Sequence, residues 1–134
     1  MVQNLDYAQT FLEAAMIESP SDMQGESLIP LLKGNNSEWT RESVYYHYYE
    51  YPSVHMVKRH YGIVNKDFKL VHFYYDVDEW ELYDRKNDPN EMKNVYDDPN
   101  YKEIVKELTI ELYELRKKYK DSKELDQKFL PNEK

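Results

Sequence analysis

The sequence contains no cysteine, only three glycines and no long apolar run. Without cysteine there is no disulfide, no thiolate metal ligand and no thiol nucleophile. So little glycine leaves no glycine-rich phosphate loop. No stretch approaches the roughly 20 apolar residues that span a bilayer, which argues against a membrane role. The N-terminus, Met1-Val2-Gln3, lacks the basic-then-apolar pattern of a signal peptide and leads straight into a patterned segment, as an internal cut does. Positive charge is also short: 18 basic residues face 26 acidic ones, a net charge of -8. That balance disfavours general binding to nucleic acid or anionic lipid.

What is there suits one domain. A chain of 134 residues is long enough to bury a core. Apolar residues are scarce at 40%, but fourteen tyrosines make up much of the difference. Each brings a large ring with one polar tip, so the core is expected to be aromatic-rich and wet at its edges.

Residues 5–16 predict a helix, with Leu5, Ala8, Phe11, Leu12, Ala15 and Met16 at three- and four-residue spacing. Asn4 suits its cap and Asp6 the positive end of its dipole. A short apolar piece, 28–32, ends at Gly34-Asn35-Asn36. Residues 43–50, 57–64, 68–75 and 80–83 read as strands with short links, hence an antiparallel sheet. Asp88-Pro89 and Asp98-Pro99 both read as helix starts. The second opens the clearest helix, with Tyr101, Ile104, Val105, Leu108, Leu112, Leu115 and Tyr119 on one stripe. Arg116, Lys117, Lys118 and Lys120 suit its negative end. Residues 121–134 read as a polar, frayed tail.

Three of the four histidines, His55, His60 and His72, lie in a stretch that also holds Lys58, Arg59, Lys66 and Lys69. Such a basic hairpin attracts anions, and the planar fork of Arg59 matches a sulfate or carboxylate. The plainer reading makes the lysines a solvated face and the histidines edge packing. No metal-binding spacing occurs, so no metal site is expected. The run Tyr45, Tyr46, Tyr48, Tyr49, Tyr51 resembles a sugar-stacking surface, but strand alternation assigns half of it to a core.

Four stretches carry a resemblance to the C-terminal end of type I sulfatases, which have the alkaline-phosphatase-like fold. They are residues 4–12; Met23 to Leu32, similar to a Gln-Gly-x-Ser-Leu-x-Pro-Leu-Leu segment; Trp39 to Tyr46; and Glu81-Leu82-Tyr83-Asp84 followed by Asp88-Pro89, Glu91 and Asn94. The pattern looks nearest to glycan sulfatases of the N-acetylglucosamine-6-sulfatase or iduronate-sulfatase kind. Two departures stand out. Val64 sits where many relatives carry arginine, and Thr40 separates Trp39 from Arg41.

The resemblance implies an α+β fold: a four-stranded antiparallel sheet packed on a long C-terminal helix, with an N-terminal helix left over from a large α/β domain. Residues 1–37 would be the tail of the catalytic domain, 38–120 the small domain and 121–134 the polar tail. In such enzymes a cysteine or serine in a Cys/Ser-x-Pro-x-Arg motif becomes formylglycine beside a calcium ion. Neither that motif nor the metal motif is present, so no catalytic residue is expected in this chain. Calcium and formylglycine belong to the missing catalytic domain, the expected partner. The parent would be periplasmic or exported. His55, Arg59 and His60 become candidates for contact with a sulfated saccharide. Helix 5–16 and the segment 28–32, freed of their cover, would drive homo-oligomer formation. Rival expectations are a stand-alone module for sulfated or acidic glycans, and an interaction domain that leaves the stripe of 101–119 exposed.

Overall fold

The computed structural model describes residues 1–128 and 130. They form two compact units, Met1–Val44 and the remainder from Tyr45.

The first unit holds α1 (Asp6–Ala14), the short α2 (Ile29–Leu32) and a 3-10 turn at Asn36–Glu38. Helix α1 is inverted relative to a soluble amphipathic helix. It buries Asp6, Gln9 and Thr10 and exposes Leu5, Phe11 and Met16, the last two at 71% and 94%. Hydrogen bonds explain the buried face. The N–H of Leu28 donates to Thr10 Oγ1 at 2.9 Å, and that of Glu26 to Asp6 Oδ1 at 2.9 Å. Asn4 is not the cap; Leu5 holds that place without a side-chain bond. Gly25 lets the return segment approach α1, since a Cβ there would lie 2.2 Å from the Leu5 carbonyl oxygen.

The second unit contains an antiparallel sheet of β1 (Val44–Tyr48), β2 (His60–Val64), β3 (Phe68–Phe73) and β4 (Glu79–Asp84), in the order β1-β2-β3-β4. The register aligns Ile63 with Leu70 and Leu70 with Leu82. This aliphatic row faces α3 (Lys102–Lys118), whose Leu108 and Leu112 complete the core with Tyr61, Tyr74 and Val95. The stripe is therefore sheet-packed, which removes the interaction-domain reading. The opposite face carries Tyr46, Tyr48, His60 and Phe73, whose rings pack together.

Asp98 caps the turn Pro99–Tyr101 that opens α3, accepting from the Asn100 N–H. Asp88-Pro89 starts no helix. Asp88 Oδ2 instead accepts the N–H groups of Met92 and Lys93, and Glu91 takes a left-handed φ of 54°. The Glu91 carboxylate pairs with Lys69 at 2.5 Å and Arg85 at 3.3 Å, closing a turn. The frayed tail also needs correcting. Lys123–Lys128 forms a further helix, α4, with Asp126 buried; residues 129 and 131–134 lie outside the described set.

Candidate functional site

Of the three residues expected at a site, His55 and Arg59 lie in the loop between β1 and β2 and His60 opens β2, and the structure separates them. Val54, His55 and Met56 stand exposed at its tip. His60 lies on the open sheet face, stacked on Tyr48 at 5.5 Å, with Nδ1 2.8 Å from the Lys58 carbonyl oxygen. Arg59 turns inward and is 2% exposed. Its Nε donates to the Tyr49 carbonyl at 3.1 Å and its Nη1 to Asp76 at 2.9 Å. The guanidinium also lies near the Tyr51 and Tyr75 rings. The sequence reading placed that fork at the surface; the structure uses it to pin the base of the loop. Lys58 braces the same loop, donating to the Tyr51 hydroxyl at 2.9 Å.

The densest cluster of ionisable groups among the described residues lies elsewhere, around His47. His47 on β1 sits between Asp121 and Asp126, with Nδ1 2.7 Å from Asp121 and Nε2 3.7 Å from Asp126. Arg116 pairs with Asp126 at 2.8 Å and Asp121 at 3.7 Å, and it lies 3.8 Å over the Tyr61 ring. The Tyr45 hydroxyl donates to Asp121. Strand alternation groups His47 with Tyr45 and Tyr49 but gives no sign of its partner Asp121, which lies 74 residues away.

Burial pushes the His47 pKa down, against the pull of Asp121 and Asp126. Neutral imidazole fits the contacts: Nδ1–H donates to Asp121, and Nε2 accepts from the Tyr74 hydroxyl at 2.7 Å. The unfolded chain therefore binds the extra proton. The stabilisation is complete above about pH 6.5 and declines as pH falls below it, by up to about 1.4 kcal/mol per pH unit. Urea melts between about pH 7 and pH 5 should show that slope and lose it in His47→Gln. A wild type more stable at the lower pH would mean a charged His47.

The ligand atoms of His47, Asp121 and Asp126 lie within 4.8 Å of one another. They do not suit calcium, which takes roughly six to eight oxygen ligands. One donor here is nitrogen, and both carboxylates already hold the Arg116 cation. Nor does the sequence hold a cysteine or a Ser-x-Pro-x-Arg run to yield formylglycine. The cluster is an ion-pair lock joining α3, α4 and β1.

Residues 1–118 match the family model for the C-terminal region of N-sulphoglucosamine sulphohydrolase. An N-acetylglucosamine-6-O-sulfatase of Bacteroides thetaiotaomicron is 53% identical over 122 residues, 89% of this chain and 22% of that protein. A Delta 4,5-hexuronate-2-O-sulfatase of the same organism is 35% identical over 77% of this chain and 21% of its own length. A solved structure in complex with its substrate D-glucosamine-2-N,6-O-disulfate matches with a TM-score of 0.83 and 53% identity, over 88% of this chain and 24% of that one. The chain spans less than a quarter of the length of these relatives. Both units carry the family pattern, and the chain belongs to the N-sulphoglucosamine sulphohydrolase C-terminal family of the sulfatases.

Proposed function

We propose that this chain serves as the small C-terminal domain of a sulfatase acting on sulfated glycans, and that it turns over no sulfate ester alone. The inverted helix α1 carries the reading. A helix that buries Asp6 and Thr10 while exposing Phe11 and Met16 suits a chain whose apolar side is covered by further protein. The cover is the catalytic domain, which supplies formylglycine and calcium. The 53% identity to an N-acetylglucosamine-6-O-sulfatase supports a sulfated amino sugar as substrate.

Within that enzyme the loop after β1 forms one wall of the saccharide pocket. His55 and His60 face the sugar. Arg59 is a positioning residue there, since its guanidinium is committed to Tyr49 and Asp76. In the whole enzyme, Arg59→Ala should therefore raise KM more than it lowers kcat. A stand-alone module for sulfated glycans would need that guanidinium at the surface.

The purified chain should release no product from an aryl sulfate, and calorimetry with heparin oligosaccharides should register no binding. Turnover matching an intact sulfatase would sink the proposal. Light scattering should show association that grows with concentration and is relieved by Phe11→Glu. A strict monomer at high concentration would argue against the covered-face account.

A further inference from the structure

The second unit contains a cleft of about 420 Å³ with no part in the reading above. That volume lies in the range of small-molecule sites. Tyr61 and Tyr74 form its buried floor, Tyr75 and Asp78 one rim, and Lys123 and Gln127 of α4 the other. His72 orients the rim, with Nε2 2.8 Å from Asp78 and Nδ1 2.7 Å from the Tyr61 hydroxyl.

Tyr75 is the telling residue. Its φ is 69°, a left-handed conformation unfavourable by about 1–3 kcal/mol for a non-glycine side chain. A core tyrosine would offset that strain by burying its ring, yet Tyr75 is 53% exposed. Its ring lines the cleft and lies 5.6 Å from the Arg59 guanidinium.

The charges decide the ligand class. Asp78 bonds His72 at 2.8 Å, Asp126 shares the Arg116 cation with Asp121, and Lys123 adds a cation to the lining. Two carboxylates against one lysine give the lining a small negative excess, which disfavours a sulfate. Aromatic plates, the apolar Leu130 and planar carboxylate and amide groups match an uncharged pyranose, with its C–H face and ring of hydroxyls. We propose that the cleft framed by Tyr74, Tyr75, Asp78 and Gln127 binds a neutral sugar residue. The cleft's chemistry is independent of the sulfatase reading.

NMR titration of the whole chain with methyl β-D-glucopyranoside, N-acetylglucosamine and N-acetylglucosamine 6-sulfate tests this. The neutral sugars should saturate at millimolar concentration and shift the amides of Tyr75, Asp78 and Gln127, with the sulfate weaker. Tyr75→Gly should weaken binding at least about tenfold, with a melting temperature unchanged or raised because glycine tolerates the positive φ. Absence of saturable shifts with either neutral sugar would overturn the proposal. So would unchanged affinity in Tyr75→Gly with the fold intact, or a preference for the sulfated sugar.

Discussion

Arg116→Ala is expected to lower the unfolding free energy of the second unit by about 3–5 kcal/mol. Arg116 is 4% exposed, and it is the cation that both Asp121 and Asp126 pair with. Truncation leaves two carboxylates beside His47 without their counter-charge, and it removes the guanidinium from the Tyr61 face. The burial penalty of the acids then stands uncompensated. Lys117→Ala, one residue on and exposed, should stay within about 0.5 kcal/mol of the wild type. Arg116→Met with Asp126→Leu should recover much of the loss, since apolar replacements of a buried pair are often neutral. Urea titration followed by Trp80 fluorescence, in a Trp39→Phe background, reads the effect from this unit. A drop below about 1 kcal/mol would show the network to be screened and incidental.

Asp6→Ala should unfold the first unit. Asp6 is wholly buried and takes four hydrogen bonds: Arg41 Nη1 at 2.6 Å, Arg41 Nη2 at 2.8 Å, Gln3 N–H at 2.7 Å and Glu26 N–H at 2.9 Å. Burial works against the charge, but the bonds from Arg41 and the two N–H groups win and hold the Asp6 pKa below its usual value. The alanine leaves the buried Arg41 guanidinium to Glu26 at 3.4 Å and strands two backbone donors, at about 3–5 kcal/mol. A unit of this size has only a few kcal/mol of stability to lose. Trp39 is the reporter, because its Nε1 donates to the Met1 carbonyl and Arg41 lies 5.1 Å from its ring. Its near-UV signal should collapse. An unchanged signal would place the stability of this unit elsewhere. The depressed pKa also means that the Asp6 contribution is present above about pH 4 and fades below it.

The sheet and α3 were legible because their patterns are local. The strand runs 57–64, 68–75 and 80–83 hold Ile63, Leu70 and Leu82, which the register aligns, and the spacing of Leu108 and Leu112 marked the helix stripe that covers them. The boundary of β2 moved from 57 to His60 because Arg59, apparently a hairpin cation, is a buried anchor. The same error of scale affected Asp6 and Arg116. Each suits a helix dipole by position, yet each is held by a partner distant in sequence: Arg41 lies 35 residues from Asp6, and Asp126 ten from Arg116. Helix α4 was missed because Lys123–Lys128 carries no apolar stripe; it is held by Asp126 reaching Arg116. Dispersed ion pairs leave no periodic trace in a sequence, so the buried acids were the least readable part of the fold. The inversion of α1 was half legible: the stripe was visible, but which side met solvent depends on what covers it.

The most direct test is replacement of the matching C-terminal region in the Bacteroides thetaiotaomicron N-acetylglucosamine-6-O-sulfatase by this chain. The hybrid should fold and release sulfate from N-acetylglucosamine 6-sulfate, while the same enzyme cut short before that region should be inactive. A soluble hybrid without activity, or a shortened enzyme as active as the intact one, would contradict the account.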